Sequence, residues 1–187
     1  MNLAIVHYHL NRGGVTRVIE NQLRALDSVL DSEASANDGP WRVAIFYGGR
    51  RKGWIKQLGR DLRSIHLTLV EIPGLEYDSL RKSTMPSSTQ DLAKDLRLAF
   101  ERQGFASGTT LVHVHNHALG KNRNLPQAVA LLAEAGFPVL LQVHDFAEDF
   151  RPSNYRHLVS DASNAAGLLY PQADNIHYAA LNGRDHG

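Results

Sequence analysis

The chain has 187 residues, 43% of them hydrophobic, with 20 basic and 19 acidic side chains for a formal charge of +1 and no cysteine. This length fits one domain able to bury its own core, and the missing cysteines exclude a disulfide framework, a thiolate nucleophile and sulfur-ligated zinc. The balanced charge excludes recruitment of nucleic acid by a global field, and no apolar stretch approaches the roughly 20 residues that a bilayer crossing needs.

Asn2 leads straight into LAIV, with no basic segment before it and no small-residue cleavage pattern after it. No signal peptide is therefore expected, and a cysteine-free chain of this kind suits the cytoplasm. The apolar run 3–6 reads as a first strand. After the turn-like Asn11, Arg12, Gly13 and Gly14, the residues Val15, Val18, Ile19, Leu23 and Leu26 recur at helical spacing. Residues 32–40 are polar and form a loop into a second strand at WRVAIFY, residues 41–47.

A Gly/Arg turn at 48–52, a helix over 54–62 and a third strand over 67–72 follow. Residues 78–90 have the composition of a surface loop, and 91–100 place Leu92, Leu96 and Phe100 on one helical stripe. The fourth strand is 110–115, the next helix 126–135 stopped by Gly136, and the fifth strand 138–144. A short helix over 155–161 and a sixth strand over 176–181 close the pattern.

Strands of near-continuous apolar character alternating with helices predict an α/β fold: one doubly wound, mostly parallel sheet with helices on both faces, in a single domain spanning 1–187. In the usual order, strands one, four and five are neighbours. Their carboxyl ends then share the edge where ligands bind, which gathers His7 and His9, His113, His115 and His117, and His144 with Asp145.

Each of these features has a plain reading and a functional one. Gly13 and Gly14 form a tight turn, or let backbone approach a phosphate at a helix start. Arg17 is a solvated helical residue, or a bidentate partner for phosphate or carboxylate. In HVHNH, the alternation of an extended strand puts His113, His115 and His117 on one side; with Asp145 they would suit zinc, iron or manganese in a hydrolase. Asp145 caps a turn, or joins Glu148, Asp149 and Arg151 in a charge-dense loop able to bind hydroxyl-rich ligands.

The segments NRGGVTRV, LVHVHN and QVHDF resemble the amino-terminal, acceptor-side domain of GT-B glycosyltransferases, and more narrowly glycosyltransferase family four. The resemblance covers nearly the whole chain. It implies a retaining transfer of a sugar from a nucleotide-sugar donor to a sugar or glycoconjugate acceptor, across a cleft between two Rossmann-like domains. By position, Gly13 and Gly14 would approach the donor pyrophosphate, and His115 would be the catalytic-site histidine near the reacting carbon. His9, Arg17, Asn116, His117, His144, Asp145, Glu148 and Arg151 would face the acceptor or sugar. Neither a cofactor nor a metal is implied.

Two departures qualify this expectation. Gln142 stands where the family commonly has threonine, two residues before the strand-five histidine. The carboxyl-terminal nucleotide-sugar domain, with its glutamates seven residues apart, has no counterpart; Glu134 is followed at that distance by Gln142. The expectation is the acceptor-side half of a transferase, inactive alone, with a missing second domain or self-association through apolar surface near the sixth strand. The rival readings are the metal-dependent hydrolase and a non-catalytic sugar- or nucleotide-binding module.

Overall fold

The computed structural model describes residues 1–33, 40–81, 88–146, 148, 152–159, 167 and 169–181. Six strands, β1 (Asn2–His7), β2 (Trp41–Tyr47), β3 (Ile65–Glu71), β4 (Thr110–His115), β5 (Val139–Val143) and β6 (Ile176–Ala180), form one sheet in the order β3-β2-β1-β4-β5-β6. Every pairing is parallel. This is the Rossmann-like, doubly wound α/β arrangement that the alternating pattern predicts.

Strand alternation sorts the core onto two faces. Ala4, Val6, Ala44, Phe46, Val112 and Val114 face α3 (Thr89–Arg102) and α4 (Leu125–Glu134), meeting Leu96, Phe100, Val129 and Leu132. Ile5, Val43, Ile45 and Tyr47 face α1 (Gly14–Glu33) and α2 (Leu58–Asp61), meeting Ile19, Leu23 and Leu58. Ile19 and Leu23 lie four residues apart on one stripe, and burying each stabilises the fold by roughly 1.5–3 kcal/mol.

The helix ends follow local chemistry. Ser88 caps α3 by accepting from the Asp91 amide at 3.1 Å. Gly136, at φ +87°, ends α4, and the Phe137 amide turns back to the Leu132 carbonyl. A fifth helix, α5, spans Pro152–Val159, so the predicted stretch 155–161 is met in part, its last two residues lying outside those described.

Two elements differ from expectation. The helix predicted over 54–62 shrinks to Leu58–Asp61, because the preceding chain is committed to β1 and α1. The Gly48 amide donates to the Tyr8 carbonyl (2.9 Å), Leu10 to Arg50 (2.6 Å), Gly53 to Leu10 (3.1 Å), and Ile55 to Glu20 Oε1 (3.2 Å). The third strand starts at Ile65, since Trp41 pairs with Ile65, and it stops before Ile72, where a Pro73–Leu75 3₁₀ turn begins.

Those bonds zip the loop after β2 onto the loop after β1. A β-carbon on Gly53 would sit 1.9 Å from the Arg12 amide nitrogen, and one on Gly48 would sit 2.5 Å from that of Glu76; around Gly14 nothing lies within 4 Å. Gly53→Ala should therefore cost about 1–3 kcal/mol of stability in urea unfolding, whereas Gly14→Ala should be near neutral. Equal midpoints for the two variants would refute the docking of these loops.

Candidate functional site

The three strands that end at the switch between β1 and β4 bring together imidazoles from distant segments. Side chains of β4 alternate, so His113 and His115 share the α1 side of the sheet, their rings 4.3 Å apart. His113 Nε2–H donates to Gln142 Oε1 (2.9 Å), which also accepts from Gln22 of α1 (2.8 Å). His115 Nδ1 and His144 Nε2 share a hydrogen bond of 2.9 Å. His7 Nδ1–H donates to the His115 carbonyl (3.2 Å), extending the tie between β1 and β4 past the last ladder pair. His9 lies beside His7, its ring centroid 5.5 Å away.

The strand does not stay extended to His117. Asn116 has φ +55°, a left-handed conformation that asparagine tolerates, and this residue redirects the chain. His117 consequently faces the opposite compartment, where its Nε2–H donates to the Leu169 carbonyl (2.8 Å) and its ring stands near Tyr170 and Tyr178. The expectation that all three histidines line one side is corrected accordingly.

Asn116 itself is buried and spent on the backbone. Its Oδ1 accepts from the amides of His144 (2.7 Å) and Asp145 (3.2 Å), and its Nδ2 donates to Asp145 Oδ2 (3.2 Å). Tyr8, fully buried, has its hydroxyl 2.8 Å from the Asn116 carbonyl and 2.9 Å from that of His117. Burial pushes this phenol well above its ordinary pKa, so it remains a donor.

Burial also holds the imidazoles neutral. It lowers His7 to about 3, with His9 adding to the effect, and His113 to about 4 despite the Gln142 hydrogen bond. Burial lowers His117 to about 4 and His115 well below its ordinary value, the latter helped by His113, His7 and His144. His9 and His144, half-buried, are lowered chiefly by burial, with Arg50 contributing at His9 and Asp145 opposing at His144. A cluster of uncharged imidazoles offers donors and acceptors suited to hydroxyl groups. Among the described residues no three His, Asp or Glu side chains are arranged to hold a metal ion. His115 Nδ1 and His144 Nε2 point at each other and His117 points elsewhere, so among the described residues the ligand set of the hydrolase reading is not assembled.

The remaining predicted residues fall around this cluster. Gly13 and Gly14 sit at the start of α1, exposed. Arg17, 64% exposed, pairs at 2.8 Å with the buried carboxylate of Glu20. Asp145 and His144 are half-buried, whereas His115 is sealed, its Nε2 without a hydrogen-bond partner. Glu148 is exposed and accepts from the Tyr170 hydroxyl (2.7 Å). Arg151 lies outside the described residues.

Sequence reading missed one group. The Asn11 amide donates to His9 Nδ1 (3.4 Å), leaving the proton on Nε2, which lies 2.9 Å from the Tyr77 hydroxyl. Arg50 Cζ stands 4.7 Å from the centroid of the Tyr77 ring and Lys121 Nζ 5.6 Å from it, while Glu76 holds Arg50 at 2.7–3.0 Å. These residues come from loops after different strands and carry no periodic signal.

Fold and site together define a Rossmann-like α/β unit whose ligand edge is lined by neutral imidazoles flanked by cationic side chains. The chain is similar to the mannosylglucosyl-3-phosphoglycerate synthase of Petrotoga mobilis, 26% identical over 189 residues that cover 99% of this chain. It spans about a third of that curated relative's length, 33%. No family model and no solved structure matches the chain.

The depressed histidines have a thermodynamic consequence. With folded values below the ordinary 6.5, the unfolded chain binds more protons, so stability present above pH 6.5 is lost as pH falls toward the folded values of His7, His113 and His117. Each contributes about 1.4 kcal/mol per pH unit in that window, together about 4. Urea unfolding between pH 6.5 and 5 should show this slope. A flat profile would mean that the rings are solvated or charged in the native state.

Proposed function

We propose that this chain is the acceptor-side half of a retaining glycosyltransferase of the GT-B type, close to family four. It would act with a nucleotide-sugar-binding half and be inactive alone. The observation that carries the reading is the likeness to a glycosyl-product synthase along 99% of the chain, joined to a strand-end cluster of imidazoles suited to hydroxyls. The relative's name denotes a glycoside of 3-phosphoglycerate, and by that likeness the acceptor here is a glycoside bearing an organic acid or phosphate.

In this proposal the acceptor hydroxyl oxygen replaces the nucleotide diphosphate on the same face of the donor sugar's anomeric carbon, and the departing diphosphate takes the acceptor proton. No protein nucleophile is required, and the half-site supplies position and fixed dipoles. Amides at Gly13 and Gly14 would face the leaving phosphate. His144 and Asp145, the solvent-reaching pair, would meet sugar hydroxyls. His115 would act one layer behind as a positioning residue, because its Nδ1 fixes the His144 ring and its own ring is sealed from solvent.

A chimera tests both levels. Placed in the Petrotoga enzyme in exchange for the aligned third, this chain should support transfer from a nucleotide sugar, and a folded chimera inactive with every donor would overturn the reading. Within an active chimera, His115→Ala should lower kcat by about 10². His115→Gln, whose amide still reaches His144, should recover part of the loss. Unchanged turnover in His115→Ala would remove that residue from the mechanism.

A further inference from the structure

We propose that Lys121 and Arg50, held against the Tyr77 ring beside His9, form the recognition site for the acid group of the acceptor, a phosphate or carboxylate. The word acceptor rests on the glycosyl-transfer reading; the acid site itself rests on the following geometry.

Arg50 and Lys121 differ in how their charge is met. Glu76 grips the Arg50 guanidinium through Nε and Nη2, which neutralises it and fixes its orientation. Among the described residues no carboxylate lies within ion-pair distance of Lys121, a half-buried residue whose Nζ stands 5.6 Å from the centroid of the Tyr77 ring. The backbone that carries this lysine is pinned. Its carbonyl accepts from the Asp78 amide (2.8 Å), and the fully buried neighbour Asn122 donates to the carbonyls of Gly74 (2.7 Å) and Glu76 (3.0 Å). The main chain beneath the ammonium is therefore ordered before any ligand arrives, which lowers the entropy lost on binding.

The ring completes the site. Tyr77 offers its face to the two cations and its hydroxyl to His9, so an oxyanion beside Lys121 would lie next to the histidine cluster. The neutral imidazoles meet hydroxyls, and the cation meets the acid.

Position in the fold assigns this anion to the acceptor side. Tyr77 packs on the α3/α4 face of the sheet, stacked edge-on against Tyr8, whereas Gly13 and Gly14 open α1 on the other face. In that assignment the donor diphosphate and the acid of the second substrate would meet different faces of the sheet.

Calorimetric titration of the unaltered chain with 3-phosphoglycerate, with uridine diphosphate and with glycerol tests the site without any transfer step. The acid should bind and glycerol should not. Lys121→Met should weaken 3-phosphoglycerate by about tenfold, the loss of one charge-assisted contact, and leave uridine diphosphate unchanged. Lys121→Arg should retain most of the affinity, and Arg12→Met, a surface cation outside the cluster, should retain all of it. Equal binding by Lys121→Met, no binding of the acid to the folded wild type, or a loss confined to uridine diphosphate would each overturn the proposal. An inactive chimera with Lys121-dependent acid binding would defeat glycosyl transfer and leave the acid site standing; an active one with Lys121-independent binding would do the reverse.

Discussion

Asn116 is the residue on which the candidate site depends. By taking a left-handed conformation just after β4 and offering its side chain to two amides and a carboxylate beyond β5, it fixes a loop junction that the β4–β5 ladder does not reach. Parallel strands hold one another only as far as their hydrogen bonds run, and the β4–β5 register ends at His115 with Gln142. Past that point the orientation of His144 and Asp145 would be free without a bridge. The same turn divides the histidines of HVHNH, sending His115 toward His144 and His117 toward Leu169.

From this junction follows an electrostatic division. Desolvation disfavours charge on the buried imidazoles and their mutual repulsion adds to it, so the centre of the edge stays neutral near pH 7. Charge is placed outside it, in Arg17 paired to Glu20, in Arg50 paired to Glu76, and in Lys121 over Tyr77. Arg17 and Arg50 are each met by a carboxylate, whereas Lys121 lies over an aromatic ring. A metal site at the neutral centre would demand convergent lone pairs and nearby carboxylates.

Much of this could be read from the chain alone, and the reasons are physical. Periodicity two in the strands and three to four in α1, α3 and α4 encodes which face each residue buries, and parallel winding then forces the strand ends into one edge. That is why His7 could be brought together with His115 and His144, which lie more than a hundred residues further along the chain. His117 could not be placed, because a single φ angle at Asn116 overrides the alternation. Nor could Tyr77 and Lys121 be linked to His9, since loop contacts leave no periodic trace. The shortened α2 has a similar cause: the sequence of 54–62 suits a helix, but tertiary hydrogen bonds to Leu10 and Glu20 claim its first turn.

The glycines separate what the fold needs from what a ligand needs. At Gly48 and Gly53 a β-carbon would enter the backbone of a neighbouring loop, so these positions are explained entirely by close packing within the chain. Gly14 meets nothing within 4 Å, Gly13 only the Asn11 carbonyl at 4.0 Å, and neither has positive φ. Packing and dihedral strain thus supply no reason for glycine at Gly14, in the first turn of α1, where alanine would favour the helix, whereas Gly13 sits just before the helix at a position that prefers glycine to alanine. Amides at that helix start would stand unshielded toward an anion, the role that the proposed transfer gives them.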